Sequence, residues 1–358
     1  VSLDARELAR LVELSGDTVL AADLPSLPPP PTATSSESSP PVRLERDFGA
    51  DVGGPWPLHD AVPLPGGRVL VALGEMGARL LTRDGRCVAH FDVPAFSLVG
   101  ACNGNRALAL APRGSLWRVS RLDLERLQAE PWCDLRADAF APHFDGTLWF
   151  IAEGDTVLGL DTLADAPRAL WRVSRLGGPV PWIDAGPDSL SFVRKSGEAS
   201  LEPVLERWYY ELPGFTLRAR RSLGAWMPRD GLHSLLALTP GGNVAVITGE
   251  TPGVSWLTAR PLVGEASGTL FEHDALVGVV LAGKGVAVLD ALPRDEPGVR
   301  VRLAALPQGH ELLRLHLGGE HPGVRMRHGH GALVVFDRAG WLVRADVTRG
   351  EVHRLHPH

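Results

Sequence analysis

The sequence predicts an all-β chain, and two observations carry that reading. From Val42 onward, short apolar or alternating runs are broken by Gly, Asp, Asn and Pro, and no long stretch keeps the period of a helix. Forty glycines and thirty prolines in 358 residues suit many short elements joined by many turns. A third observation sets the architecture. A polar turn followed by an apolar strand recurs at Pro65–Gly74, Gly104–Pro112, Asp145–Gly154, Pro187–Gly197, Gly241–Glu250, His273–Gly283 and His330–Gly340. The anchors Val69, Ala107, Thr147 and Ser189 are 38, 40 and 42 residues apart, and Val244, Ala275 and Ala332 follow at 55, 31 and 57. About forty residues and four strands per unit is the pattern of a β-propeller blade. The expectation is a single β-propeller of seven blades, each a four-stranded antiparallel sheet. Six blades is the alternative, because a misassigned strand pair would also produce the 31-residue step.

Two segments precede the propeller. Residues 1–24 carry a short amphipathic helix: Ser2 can cap it, Asp4 and Glu7 suit its positive end, and Gly16 can end it. Leu8, Leu11 and Val12 share one face, which either packs on the main domain or docks a partner. Residues 25–41 hold four consecutive prolines and a Ser/Thr tract, which reads as a linker. Residues 42–358 form the propeller, with Val42–Phe48 expected to complete the last blade beside Glu351–His356.

Within the units, a second type of strand ends in an Asp turn, at Asp123, Asp161, Asp290 and Asp346. An Asp in that position accepts hydrogen bonds from backbone amides just ahead of it. The string LWRVSRL occurs at Leu116–Leu122 and again at Leu170–Leu176, 54 residues on, which is not one period. The first copy is expected as the third strand of its blade and the second as the fourth strand of the next. Trp117, Trp149, Trp171, Trp208 and Trp341 fall in strands and read as packing between blades. Trp182 stands near a loop, where it would face a ligand or partner.

Chemistry-bearing motifs are sparse. There is no Gly-x-Ser-x-Gly nucleophile elbow, and the Asp residues sit mostly where turns want them. The WD and kelch signatures do not recur. His328 and His330 would present two imidazoles on one strand face, short of the third ligand a metal site needs. The cysteines Cys87, Cys102 and Cys133 form no CxxC pair and read as thiols of a reducing compartment. A net charge of −6 without basic clusters argues against nucleic acid and anionic membranes as partners. No apolar run is long enough for a membrane helix and no signal peptide is visible, so the expected location is cytoplasmic.

The runs Gly66–Pro94, Asn105–Leu124, Trp132–Leu163 and Leu190–Val193 together resemble the bpX-type propellers. These belong to bacterial three-part systems with a MoxR-type AAA+ ATPase and a von Willebrand A (vWA) protein. The resemblance covers roughly residues 43–220 and brings no catalytic residues with it. It implies a non-enzymatic adaptor that recruits a MoxR-type ATPase or a vWA protein, with no cofactor. Leu8, Leu11, Val12 and Trp182 are the candidate partner contacts. The alternative readings are a propeller enzyme, a hydrolase or lyase, and a small-ligand sensor, both using the mouth of the central channel.

Overall fold

The computed structural model describes residues 44–48, 56–101, 103–143, 146–180, 182–185, 189–196, 204–212, 214–225, 233–238, 244–251, 254–261, 269–273, 275–282, 285–292, 297–305 and 310–356. The expected helix with Leu8, Leu11 and Val12, and the linker over 25–41, lie outside the described residues. Among the described residues the one helical element is the short 3-10 turn Pro65–Gly67, and no helix is long and apolar enough to cross a membrane.

Among the described residues the strands form seven separate sheets. The first is Asp60–Pro63, Val69–Ala72, Ala78–Leu81 and Cys87–Phe91, and the second Ser97–Gly100, Arg106–Arg113, Leu116–Asp123 and Gln128–Leu135. The third is Ala139–Pro142, Leu148–Glu153, Thr156–Asp161 and Arg168–Val173, and the fourth Trp182–Ala185, Ser189–Ser196, Val204–Glu211 and Thr216–Ala225. The fifth is His233–Leu238, Val244–Thr251, Val254–Pro261 and Thr269–His273. The sixth is Ala275–Ala282, Gly285–Ala291, Gly298–Ala305 and Glu311–Gly318, extended by Leu44–Phe48. The seventh is Arg325–Gly329, Ala332–Phe336, Leu342–Asp346 and Glu351–Arg354. Apart from Leu44–Phe48, every sheet is an antiparallel meander of strands consecutive in sequence.

The first strands of the sheets touch one another. Asp60–Pro63 meets Ser97–Gly100, which meets Ala139–Pro142, which meets Trp182–Ala185. His233–Leu238 meets Ala275–Ala282, which meets Arg325–Gly329, and that strand returns to Asp60–Pro63. Starts lie by starts, with the His59 ring on Phe96 and Arg327 on Asp60. Ends lie by ends: a Cβ on Gly100 would meet Val62 and Leu64, and one on Gly329 would meet Pro63.

The apolar core lies between sheets. Alternate residues of each strand point to opposite faces, so a strand flanked on both sides is apolar on both. Leu70, Leu80 and Phe91 of the first sheet pack with Leu98, Ala107 and Leu122 of the second. Leu108, Leu110 and Val119 pack with Trp149, Ile151 and Leu160 of the third. Phe150 and Trp171 then meet Phe192 and Tyr210 of the fourth, and Val301 and Leu315 of the sixth meet Val335 and Trp341 of the seventh. Trp149, Trp171 and Trp341 are therefore buried packing residues, as expected. Each such side chain contributes about 1.5–3 kcal/mol when fully buried.

Both copies of LWRVSRL take their expected slots. The first lies in the third strand of the second sheet and the second in the fourth strand of the third. Asp123, Asp161 and Asp346 also behave as expected, accepting from the backbone N–H of Glu125 and Arg126, of Leu163, and of Arg349. Asp290 does not. It ends the second strand of the sixth sheet, where Arg302 Nη2 on the neighbouring strand donates to it at 2.7 Å. The turn-plus-strand unit around Ala275 is correspondingly a first strand, while its six counterparts are second strands. That offset accounts for the irregular 31- and 57-residue steps.

The expected closing strand is also corrected. Leu44–Phe48 runs parallel to Glu311–Gly318 and extends the sixth sheet, and it does not pair with Glu351–Arg354. Leu44 and Phe48 pack on the apolar cluster of the sixth and seventh sheets, with Phe48 5.9 Å from Trp341 edge to face. The strand Glu311–Gly318 buries Leu313, Leu315 and Leu317 in alternation and offers a long regular edge, whereas Glu351–Arg354 has four residues.

Candidate active site at the seam of the first and seventh sheets

The first and seventh sheets join through side chains. Leu58, Val69, Val71 and Leu81 pack against Val334, Phe336, Leu342 and Leu355. At the centre of the seam lies Asp60, whose side chain is 2% exposed. Arg327 donates to it through Nη2 at 2.9 Å and Nε at 3.2 Å. The carboxylate also accepts from Ser97 Oγ at 3.0 Å and from the Leu98 N–H at 2.9 Å, both in the second sheet. One carboxylate thus ties three sheets together, and its hydrogen bonds offset the cost of burying its charge.

The residue just before it, His59, lies where the starts of the first strands of the first and second sheets meet. The strands place it there because His59, Phe96 and Arg325 all stand at the entrance of a first strand. Its ring packs edge to face on Phe96 at 4.7 Å. Gly74 takes a φ of +66°, and a Cβ there would come 2.9 Å from His59 Nε2, so the close approach requires glycine. Among the described residues neither ring nitrogen has a hydrogen-bond partner. Burial lowers its pKa below the usual 6.5, and the charges of Arg338 and Arg325 lower it further. At neutral pH the ring is an uncharged proton acceptor that feels the charges of the exposed Arg325 and Arg338. A neutral imidazole with its acceptor nitrogen uncommitted, in a field of positive charge, can take a proton from an anionic ligand.

A second His–carboxylate pair is closed to chemistry. His321 Nδ1 lies 2.7 Å from Asp337 Oδ2 and Nε2 lies 3.2 Å from the Gly318 carbonyl, with both side chains almost wholly buried. Asp337 also accepts from the Trp341 N–H at 2.8 Å. Both ring nitrogens are occupied, so none is left for a substrate. This pair fixes the connection from the sixth sheet to the seventh.

His328 ends the first strand of the seventh sheet, and His330 follows in a turn at φ +52°. Burial lowers both pKa values, and His330 adds to the effect on His328. Among the described residues no group of three His, Cys, Asp or Glu side chains is arranged to hold a metal ion. Trp182 opens the first strand of the fourth sheet, opposite Val193, and its side chain lies outside the described residues. Sequence reasoning missed His59, Asp60, Arg325 and Arg338. His59 and Asp60 lie 265 or more residues from Arg325 and Arg338, Asp60 pairs with Arg327 at a separation of 267, and no local motif marks them.

No family model matches the chain, and no curated protein matches its sequence. Three solved structures are similar in shape. The tricorn protease matches at TM-score 0.55 and 9% identity, over 87% of this chain and 35% of that one. This chain therefore spans about a third of that protease's length. The β-propeller domain of the trilobed protease from Pyrococcus furiosus, described as having an open velcro topology, matches at 0.53 and 12%, over 84% and 96%. The chain shares the β-propeller fold. Hydrazine synthase from Kuenenia stuttgartiensis matches at 0.51 and 12%, over 86% and 97%.

These likenesses correct the expectation of a non-enzymatic adaptor. That expectation took the propeller as a binding scaffold, and the comparisons find the same fold within proteins named as proteases and a synthase. At such identities they show the fold alone, and function has to be argued from the site.

Proposed function

We propose that the seven sheets are the seven blades of one propeller, and that this propeller belongs to an enzyme of the hydrolase or lyase class. Its substrate is an anion, held at the channel mouth by Arg325 and Arg338, with His59 accepting the proton. The observation that carries the reading is the His59 ring, depressed in pKa, without a hydrogen-bond partner among the described residues, and faced by two arginines. The contacts of the first strands, running from the seventh sheet back to the first, support the single ring.

The test uses the full chain against carboxylate-bearing peptides and polyuronates, following amide cleavage and the ultraviolet absorbance of a new double bond. Turnover by the wild type is expected, with kcat falling about 100-fold in His59→Gln and KM rising in Arg325→Ala and Arg338→Ala. Because the His59 pKa lies below 6.5, kcat/KM holds as the pH falls through 6.5 and drops only below it. No turnover of either substrate class, or an unchanged rate in His59→Gln, sinks the proposal.

A further inference from the structure

A second site lies away from that mouth, between the second and third sheets. A cleft of about 570 Å³ opens among the turns at the ends of their strands. Trp149, 1% exposed, forms its floor, and Leu163, 59% exposed, stands at its lip. Three arginines line it: Arg106, Arg121 and Arg126.

Their hydrogen bonds distinguish them. Arg121 Nη1 donates to the Thr162 and Ala164 carbonyls at 2.6 and 2.9 Å, and its Nη2 lies 2.8 Å from Glu130. Arg126 is exposed and sits 3.9 Å from Asp123. Arg106 has neither kind of partner among the described residues, and its Nη1 is buried. Arg121 Nε is buried and unpartnered as well. Gly146, at φ +70°, admits the Arg106 stem: a Cβ there would sit 3.1 Å from Arg106 Cβ and 2.7 Å from Ala101 Cβ.

Arg106 is half-buried overall, and a guanidinium nitrogen closed off from water without an acceptor is unfavourable. One beside an open cleft of ligand size is a donor waiting for an acceptor. Arginine's planar fork suits a carboxylate or a phosphate, and the lining balances three arginines with Asp123, Glu130 and Asp165. Asp123 is committed to the turn amides and Glu130 to Arg121, so neither answers Arg106.

We propose that this cleft is a binding site for a small oxyanion-bearing ligand, with Arg106 as its principal donor. The second sheet contributes to both places, but the cleft shares no residue with the first site.

The test is titration calorimetry and thermal melting of the full chain with inorganic phosphate, glucose 6-phosphate and succinate, which separates a phosphate from a carboxylate ligand. Binding of at least one is expected, with quenching of tryptophan fluorescence from the cleft floor. In Arg106→Met affinity falls about tenfold or more, while the ligand-free Tm stays level or rises because an unanswered buried charge is gone. Arg106→Lys, which keeps the charge, retains part of the affinity, and His59→Gln leaves binding unchanged. No binding by the wild type, or equal binding by Arg106→Met, overturns the proposal. Should Arg106→Met not fold, equal binding by Arg106→Lys and Arg106→Gln overturns it.

Discussion

Two seams between sheets use the same sequence device with different results. In the second sheet Arg121-Leu122-Asp123 ends the third strand, and in the seventh Arg344-Ala345-Asp346 ends the third strand. Each arginine points towards the next sheet. At the second seam Arg121 reaches two carbonyls of the third sheet and Glu130. At the seam of the first and seventh sheets Arg344 meets Gly67 and Arg83, another cation. Its one hydrogen bond goes to Asp346 at 3.1 Å, and Nε and Nη1 are buried without partners among the described residues. Burial lowers the Arg344 pKa, partly countered by Asp346. Burial also pushes Asp346 upward, but bonds from Thr348 and the Arg349 N–H, with the charge of Arg344, outweigh it and hold the carboxyl low. The comparison teaches that a repeated position is worth what the next sheet offers it.

The largest effect should come where the seam of the first and seventh sheets is best satisfied. Asp60→Ala leaves Arg327 and two second-sheet donors without their acceptor, and should cost about 3 kcal/mol in a denaturant titration. A loss under a third of that would show that the apolar contacts alone hold these two sheets together.

Next comes the direct contrast between the arginines. Arg121→Met should cost about 2 kcal/mol, because the Thr162 and Ala164 carbonyls lose their donor. Arg344→Met should be neutral or raise stability by up to about 1 kcal/mol, since few bonds are lost with the buried charge. Equal losses in thermal melts of the two would erase the distinction drawn between the seams.

The same seam also carries the ion pair Arg83–Glu351, with side chains 37% and 31% exposed. Glu351→Gln should change stability by no more than about 0.5–1 kcal/mol. A larger change would move the weight of this seam from its apolar centre to its exposed ion pair.

The smallest effect concerns Cys133, which packs against the cluster of the second seam. Burial, then the charge of Asp134, pushes its thiol from 9.0 up to about 11. The folded state therefore holds the proton more tightly. Its contribution is complete below pH 9 and is lost as the pH rises through 11. An alkaline melting series should show this decline, flattened in Cys133→Ala, and Cys133 should resist alkylation at pH 8.

The parts of this fold that were legible in the sequence are the local ones. A Gly-rich turn followed by an alternating strand, and an Asp that accepts from its own turn, are written within ten residues, so the strands around Val69, Ala107 and Thr147 and the turns at Asp123, Asp161 and Asp346 could be read directly. Asp290 has the same local spelling, but its fate depends on Arg302 across the sheet. The strand at Leu44–Phe48 was visible as a strand, and its partner was not, because register across such a separation is set by apolar faces meeting in space. The sites fared worst. Asp60 meets Arg327, and Arg106 goes unanswered, only once the sheets are stacked. A usable signal was present in one case: an arginine two residues before a turn Asp, seen at both Arg121 and Arg344.

The parallel strand on the sixth sheet also has a meaning in time. Leu44 pairs with Leu313, so the earliest described strand waits until about 270 further residues have been made. At translation rates of about 5–20 residues per second, that wait is roughly 15–50 s. Throughout it an unpaired strand is open to pairing with other chains. Its middle residues, Glu45, Arg46 and Asp47, are exposed in the finished sheet, and their charges guard the strand while it is still alone.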